Sequence, residues 1–405
     1  MLLAIDLLEI ESKSLSQHIS GISTITFYKG DIHLAAKSLK ERFSLLLEAN
    51  PWIAGKLVKT KQSKNLQLLY SNTPSTNIQV ELLFKVNPPD VKIHSDMPYS
   101  QLGKACSSLI VQRPTRIINK EEYITKLTLV EDTKDPQNKF SLIFSLSHSV
   151  GDGHTYYSLL NMLSKDAKIE ALTVQRKEEI YAKAIKTLGK KEFAYLTSFS
   201  HVFNVFRGMI CGKKAKVYAF YLDENKISEL KAKKKEEQAY ISTNDILTSS
   251  FSTFTGARLC AMAINFRNKI KGLDNKDAGN YEGAILYDKR HYKSPSSIRH
   301  SLINPSSYQG LSKPLPKTFE GMFCKMGLIT NWASFAKDLN LQDAKEELHL
   351  PLTNTAGRMP YEMCVVFRAK EGKTGLIYFT QRFKKVDFNP QSLPIGKLIS
   401  NKIFT

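Results

Sequence analysis

The sequence, 405 residues long, lacks the features of several protein classes. Its five cysteines are odd in number and show no CxxC or other ligand-like spacing: Cys106, Cys211, Cys260, Cys324 and Cys364. A disulfide scaffold is therefore not expected. The cysteine pattern instead predicts a reducing, cytoplasmic location. No apolar run approaches the roughly 18 residues that a bilayer-spanning helix needs. The first residues, MLLAIDLLEIESKS, carry Asp6 and Glu9 without a basic region, unlike a secretory signal.

Several catalytic signatures are also missing from the sequence. It contains no GxSxG elbow, no Walker A sequence and no GxGxxG after a strand, so serine hydrolases, NTPases and dinucleotide-binding enzymes have no starting point. It has neither HExxH nor paired Cys/His spacing for zinc. We therefore predict no metal site and no permanently bound cofactor.

Acidic residues are scarce relative to basic ones. The chain has 58 Lys and Arg against 38 Asp and Glu, a net charge of +20 at pH 7. Three interpretations are open: nucleic-acid binding, attraction of an anionic substrate, or a solvated basic surface. The first lacks support, because no zinc finger, RRM signature or basic-region heptad is present. The other two are compatible with each other.

The most informative stretch present is FSLIFSLSHSVGDGHTYYSLLNML, residues 140–163. Apolar residues alternate from Phe140 to Leu146, which predicts a strand, and those after His154 follow a helical spacing. Between the two lies a corner of the form HxxxDG, from His148 to Gly153. A histidine held at a strand end is suited to remove a proton from a hydroxyl or an amine.

The other residues of the corner have several possible roles. Asp152 can contact the imidazole or bind an arginine of a neighbouring strand. Gly151 and Gly153 are expected to supply backbone freedom and room for a ligand. Arg267 ends the apolar stretch of residues 260–266, and a charged group there needs a partner.

The corner resembles the motif of the CoA-dependent acyltransferase superfamily, which includes plant BAHD acyltransferases, chloramphenicol acetyltransferase and peptide-synthetase condensation domains. Further segments match in the same order: LLEANPWIAGKL (46–57), STNDIL (242–247), AINFRNKI (263–270), GNYEGA (279–284) and ITNW (329–332). The resemblance covers most of the chain. Two departures are clear, because the plant DFGWG pentapeptide is absent and Ser147 precedes His148 where condensation domains have a second histidine.

The resemblance implies roles for particular residues. His148 would be the general base, and Asp152, next to Gly153, would pair with Arg267 as a structural element. Thr330 and Trp332 would border the reacting carbonyl, where a hydroxyl can donate to a developing oxyanion. Ser242 and Thr243 would lie near the pantetheine tunnel, although helix capping explains them equally well.

The implied function is acyl transfer from acyl-CoA to the hydroxyl or amine of a small molecule. Acyl-CoA would be a co-substrate, and transfer would be direct, because holding both substrates together supplies much of the acceleration. The alternative is a non-catalytic relative that keeps the fold and binds a ligand or partner. We predict a monomeric enzyme that does not bind nucleic acid.

The implied fold is α/β, with two domains of the chloramphenicol acetyltransferase type, each a mixed sheet covered by helices, and a tunnel between them. The predicted boundaries are residues 1–175 and 216–405, joined by a lysine-flanked crossover at 176–215. Within the crossover, residues 193–211 read as one aromatic helix, for which packing and contact with a membrane surface are both open. Residues 36–51 are predicted to be helical and 80–84 to be a strand.

Overall fold

The computed structural model describes residues 1–13, 15–72, 76–236, 240–303, 313–353 and 358–404. The strands of its first half are β1 (Leu2–Asp6), β2 (Ile22–Gly30), β3 (Lys56–Val58), β4 (Gln67–Ser71), β5 (Phe84–Val86), β6 (Thr125–Glu131) and β7 (Lys139–Leu146). The helices there are α1 (Glu9–Lys13), α2 (Ile32–Ala49), α3 (Thr76–Leu83), α4 (Tyr99–Ala105), α5 (Pro114–Ile117) and α6 (Gly153–Asn161).

The second half continues the same mixture of strands and helices. Its helices are α7 (Glu178–Thr187), α8 (Lys190–Leu196), α9 (Phe199–Cys211), α10 (Glu224–Glu236), α11 (Thr243–Thr255), α12 (Lys289–Tyr292), α13 (Pro295–Ser301) and α14 (Thr318–Met322). Its strands are β8 (Lys216–Leu222), β9 (Leu259–Asn265), β10 (Glu282–Tyr287), β11 (Met326–Asn331), β12 (Ala344–Pro351), β13 (Glu362–Lys370), β14 (Lys373–Thr380) and β15 (Ile395–Leu398). Short 3-10 helices lie at Leu15–His18, Pro51–Ala54 and Lys385–Asp387.

In the described ranges these strands form two large mixed sheets and one small one. The first large sheet has the order β12-β2-β7-β6-β5, with β5 and β6 parallel and the other neighbours antiparallel. The second has the order β10-β9-β11-β13-β14-β8-β15, and β11 runs parallel to both β9 and β13. The small antiparallel sheet is β1-β4-β3.

The central strands of the second sheet are buried on both faces. In β13, Cys364 and Val366 pack into the core beneath the helices of the second half, whereas Val365 and Phe367 pack against the first sheet. Ile25 of β2 lies in that same inter-sheet core. Because successive strand residues point to opposite faces, a continuous apolar run serves two cores. The two large sheets therefore share an apolar layer.

The second half of the chain also contributes a strand to the first sheet. Strand β12 follows β11 of the second sheet in sequence, but it pairs antiparallel with β2 at the edge of the first sheet. The predicted domain boundaries, 1–175 and 216–405 with a crossover at 176–215, stay a prediction. Any division of the chain must account for a segment of the second half that completes the first sheet.

Helix α2, predicted at 36–51, begins four residues earlier and ends two residues earlier than its apolar spacing suggested. Helix α2 begins at Ile32, because the Asp31 carboxylate accepts hydrogen bonds from the amides of His33 and Leu34. Its apolar side, which includes Phe43 and Leu47, is fully buried. The sequence prediction of 36–51 missed this cap, an Asx type common at helix N-termini.

Two local predictions were wrong. The segment 80–84, predicted as a strand, is the end of α3 and the first residue of β5. The segment 193–211, predicted as one helix, is divided between α8 and α9, because the Ser198 hydroxyl caps a new helix by accepting from the His201 amide. Apolar spacing alone does not detect such a break.

Candidate active site

His148 follows the motif strand β7 after a single residue, Ser147, and is half-buried. The alternation predicted for this strand is confirmed: Phe140, Leu142 and Phe144 enter the core of the first half, whereas Ile143 enters the inter-sheet layer. The strand pairs on both sides, with β2 and β6. His148 is thus anchored to the centre of a sheet.

Asn280, between β9 and β10, fixes the orientation of the imidazole. Its Oδ1 lies 3.1 Å from Nδ1 of His148. Its Nδ2 donates to the His148 carbonyl at 2.8 Å and to a Glu11 carboxylate oxygen at 3.1 Å. Both of those partners are acceptors, so the amide orientation is determined and Oδ1 must face the ring. Nδ1–H of His148 therefore donates to Asn280, which leaves Nε2 as the free basic nitrogen of the neutral ring.

Glu11 holds Asn280 in place from the N-terminal segment. One of its carboxylate oxygens accepts from the Asn280 amide at 2.8 Å, and the other accepts from Nε of Arg176 at 2.8 Å. Both side chains of this ion pair are almost fully buried. Arg176 also donates to the carbonyls of Val150, inside the motif, and Ala278, just before Asn280. The pair ties the motif corner to the loop that carries Asn280.

Asp152 and Arg267 form the ion pair predicted from the sequence, with Nη1 of Arg267 2.7 Å from the carboxylate and both side chains fully buried. Asp152 also accepts from the amides of Thr155 and Tyr281 at 3.0 Å. It is the N-cap of α6 and a bridge to the loop after β9. Arg267 further donates from Nε to the Asp277 carbonyl and from Nη2 to the Gly279 carbonyl, both at 2.8 Å, so each of its guanidinium nitrogens has a partner.

Burial and charge set the protonation of the two carboxyls near the corner. Burial disfavours the Asp152 carboxylate, but the charge and hydrogen bonds of Arg267 outweigh it and hold the pKa below its ordinary value. Glu282, the first residue of β10, has its pKa raised to about 7, chiefly by burial and secondarily by the charge of Asp152. Of these two carboxyls, Asp152 is held ionised and Glu282 titrates near neutrality.

A small cavity of about 30 Å³ lies beside the corner, and its lining combines several predicted residues with new ones. Asp152, Gly153, Thr330 and Trp332 line it, and so does Glu282. Neither His148 nor its partner Asn280 is among the lining residues; His148 lies four residues before Asp152, at the other end of the corner. Thr330 and Trp332 are both half-buried at the carboxyl end of β11. The fold thus brings Asp152 and Gly153 together with Thr330 and Trp332, which the resemblance had singled out in distant parts of the chain.

The glycines of the corner serve packing rather than unusual backbone angles. Among the described residues with positive φ, neither Gly151 nor Gly153 occurs, so the expected backbone freedom is not what these positions require. A Cβ on Gly153 would lie 3.3 Å from the Trp332 ring, and one on Gly151 would lie 2.7 Å from Thr155. The room left by Gly153 is therefore taken by Trp332. A positive φ occurs instead at Gly279, +139°, in the loop that contacts the corner.

Ser242 and Thr243 lie at the beginning of α11. The Ser242 hydroxyl accepts from the Asp245 amide at 3.3 Å, and the Asp245 carboxylate accepts from the Ser242 amide at 2.7 Å, which is a capping box. Asn244, the next residue, accepts from Asn331 of β11 at 3.2 Å. The segment therefore approaches the end of β11, but the Ser242 hydroxyl is engaged in the cap.

Sequence reasoning missed four residues of the site: Glu11, Arg176, Asn280 and Glu282. GNYEGA was interpreted only as a turn, although a polar residue between two buried strands indicates that its side chain has a hydrogen-bonding role.

His154, at the start of α6, also lines the cavity, and burial with the nearby Arg267 charge lowers its pKa to about 4. Within the described ranges, no group of three or more His, Cys, Asp or Glu residues is arranged to hold a metal ion.

Solved structures share this fold. TRI3 trichothecene 15-O-acetyltransferase from Fusarium sporotrichioides superposes with a TM-score of 0.62 at 12% identity, over 95% of this chain and 93% of that one. TRI101 from F. sporotrichioides, complexed with coenzyme A and T-2, gives 0.60 at 14% identity, over 93% and 95%. The first condensation domain of the CDA synthetase gives 0.57 at 11%, over 96% and 93%. No family model matches the sequence, and no curated protein does.

These similarities establish the class of the fold. The chain has the two-domain α/β architecture of acyltransferases of this type, with mixed sheets covered by helices, as the sequence resemblance predicted. The predicted tunnel stays a prediction. At 11 to 14% identity the likeness concerns the fold alone.

Proposed function

We propose that this protein transfers an acyl group from acyl-CoA to the hydroxyl or amine of a small molecule, with His148 as general base. The observation that carries the proposal is the hydrogen bond from His148 to Asn280, whose amide is oriented by two acceptors. A satisfied surface histidine does not need such support. A base needs a fixed ring and a free nitrogen, and this arrangement provides both.

The proposed reaction is a direct transfer. Nε2 of His148 takes the proton from the acceptor as its oxygen or nitrogen attacks the thioester carbonyl. The tetrahedral intermediate then collapses with cleavage of the carbon–sulfur bond, and the imidazolium returns the proton to the leaving sulfur. The products are the acylated acceptor and free CoA. This cycle requires neither a covalent enzyme intermediate nor a bound cofactor.

Thr330 is the proposed oxyanion donor, with Trp332 as the wall beside it. Both line the cavity next to the corner, and Trp332 is packed against Gly153 and Tyr157. A correctly placed donor to an oxyanion typically contributes about a hundredfold or more in rate. Ser242 and Thr243 are retained as proposed contacts of acyl-CoA, through the exposed parts that the cap leaves. The net positive charge favours the CoA phosphates.

The test is mass spectrometry after incubation with a panel of acyl-CoAs and a metabolite extract from the source of the protein. We expect an acylated product, and we expect His148→Ala to reduce its rate about a hundred- to ten-thousandfold while the fold is retained. His33→Ala is the matched control, because His33 is exposed on α2. Its turnover should equal that of the wild type.

A second variant separates the base from its support. Asn280→Ala removes the acceptor for Nδ1–H, so kcat should fall about ten- to a hundredfold with KM for acyl-CoA little changed, and the pH–rate profile should shift. Near-normal turnover of His148→Ala would reject the base assignment. Acyl-CoA binding without any acylated product would instead favour the alternative, a ligand-binding relative.

A further inference from the structure

Helix α9 buries three polar residues and one apolar residue, Val205. Ser200, His201 and Asn204 face the protein, with His201 bonded through Nε2 to the Tyr361 hydroxyl at 2.8 Å and Asn204 donating to the Cys324 carbonyl at 2.8 Å. Burial lowers the pKa of His201 to about 4, so this face is uncharged at neutral pH. A helix at the surface of a soluble protein normally has the reverse pattern, with its apolar side inward.

The outward side of α9 is apolar instead. Phe199 is 70% exposed, Phe203 39% and Ile210 64%, and their spacing places them along one side of the helix. The neighbouring α14 region adds Phe319, 78% exposed, and Phe323, 52% exposed. Large side chains exposed together in this way usually mark an interaction surface, whereas single ones do not.

Arg207 links α9 to the α14 region. It lies one turn after Phe203 on α9, its Nε donates to the Met322 carbonyl, and its guanidinium lies 5.1 Å from the centre of the Phe323 ring. We call Phe199, Phe203, Ile210, Phe319 and Phe323 the aromatic surface.

A basic cavity of about 740 Å³ adjoins the aromatic surface, because Phe319 and Phe323 also line it. Its lining includes Arg258, Lys289, Arg290, Lys313 and Lys325, against the carboxylates of Asp288 and Glu320. Both carboxylates are engaged: Glu320 pairs with Arg258 at 3.1 Å, and Asp288 accepts from the amides of Arg290 and Lys313. Exposed lysines also flank the ends of the α8–α9 pair, at 190–191 and 213–214.

We propose that the aromatic surface inserts into the interface of a membrane that contains anionic lipid, with the basic cavity receiving a lipid headgroup. Aromatic side chains are well suited to the interfacial region of a bilayer, and basic residues around them are attracted to anionic headgroups. The positive charge around the basic cavity favours an anionic membrane over a second copy of this chain as the occupant. A second copy of this chain, with net charge +20, would bring a like charge against the same basic rim.

Attachment through this surface leaves the candidate active site accessible. The basic cavity lies where β9 and β11 begin and β10 ends, whereas the small cavity beside the motif corner lies at the opposite ends of these strands. A strand of this length spans about 20 Å. The interaction is peripheral, since none of the helices in the described ranges has the length and hydropathy to cross a bilayer.

The test is co-sedimentation of the full chain with vesicles of phosphatidylcholine, with and without phosphatidylserine. We expect binding to the phosphatidylserine vesicles, and loss of that binding in Phe203→Ser with Phe323→Ser. Leu34→Ser with Ile78→Ser is the matched control, because both residues are exposed in the first half of the chain. Far-UV circular dichroism of both double variants checks that they fold.

A charge variant tests the basic cavity separately. Lys289→Gln with Lys325→Gln should weaken vesicle binding about fivefold for each lysine removed, and moderate salt should do the same to the wild type. Lys37→Gln with Lys61→Gln changes the net charge equally on the first half and should have little effect. Equal binding to vesicles with and without phosphatidylserine, or binding unaffected by the phenylalanine substitutions, would overturn the proposal. So would concentration-dependent dimerisation that these substitutions abolish.

Discussion

Helices α6 and α9 bury opposite kinds of side chain against the rest of the protein. Helix α6 buries Tyr156, Leu159 and Leu160, and Asp152 caps it through the Thr155 amide. Helix α9 buries Ser200, His201 and Asn204 beside a single apolar residue, Val205, and exposes Phe199 and Phe203. In α6 the hydrophobic effect fixes the helix that positions the motif corner. In α9 hydrogen bonds hold the buried side of the helix, and the exposed apolar side is free to contact a membrane, as proposed above.

The two helices therefore differ in where a substitution should be felt. Residues around α6 support buried charges and tightly packed side chains, so changes there should reduce the free energy of unfolding. The outward residues of α9 contribute little to that free energy, and their changes should affect binding instead.

The largest effect should come from the ion pair at the beginning of α6. Asp152→Asn leaves the Arg267 guanidinium buried without its counter-charge, which typically costs about 3 to 5 kcal/mol in the free energy of unfolding. Arg267→Leu should cost a similar amount, and chemical denaturation measures both. The Asp152→Asn/Arg267→Leu double variant should lose less than the sum of the single losses. Stable single variants that are merely slower would instead assign Asp152 to orienting His148.

A matched pair of truncations should contrast α6 with α9 directly. Leu159→Ala empties a fully buried position and should cost about 2 to 5 kcal/mol in the free energy of unfolding. Ile210→Ala, at a 64% exposed position of α9, should change it by less than about 0.5 kcal/mol. Comparable losses at the two positions would mean that the outer side of α9 is packed in solution.

The pH dependence of stability should reveal Glu282. Its pKa is raised from 4.5 to about 7, so the folded chain binds a proton that the unfolded chain releases within this window. Stability should therefore fall as pH rises from about 4.5 to 7, and Glu282→Gln should flatten that slope. Burial also raises the pKa of Glu346 to about 7, so the measured quantity is the difference between variant and wild type. Glu371→Gln, at an exposed turn, should leave the slope unchanged.

The smallest effect concerns the overall charge. If the basic surface attracts the phosphates of CoA, the apparent KM for acyl-CoA should rise moderately between low and physiological salt, where the Debye length falls to about 8 Å. Steady-state kinetics at several salt concentrations measures this. A constant KM would show that the charge of +20 serves other purposes, of which the membrane surface is one.

The sequence by itself determined the motif strand and the corner, and the resemblance implied the pairing of Asp152 with Arg267. Strand alternation and helical spacing are local properties, and a charged residue closing an apolar strand needs a partner. The fold class also followed, because the matching segments occur in the order of a known superfamily. The segment 193–211 was singled out as aromatic with basic flanks, but its division at Ser198 was not detected.

Only the tertiary structure decided the support of His148 and the direction of α9. Glu11, Arg176 and Asn280 are far apart in the chain, and no local pattern indicates that they form one hydrogen-bonded network. The same holds for β12, which joins the first sheet, and for Arg207 of α9, which contacts Phe323 of the α14 region. Such contacts depend on how sheets and helices pack over long sequence separations. A sequence specifies which residues need partners, but three-dimensional packing selects those partners and determines which apolar side is left exposed.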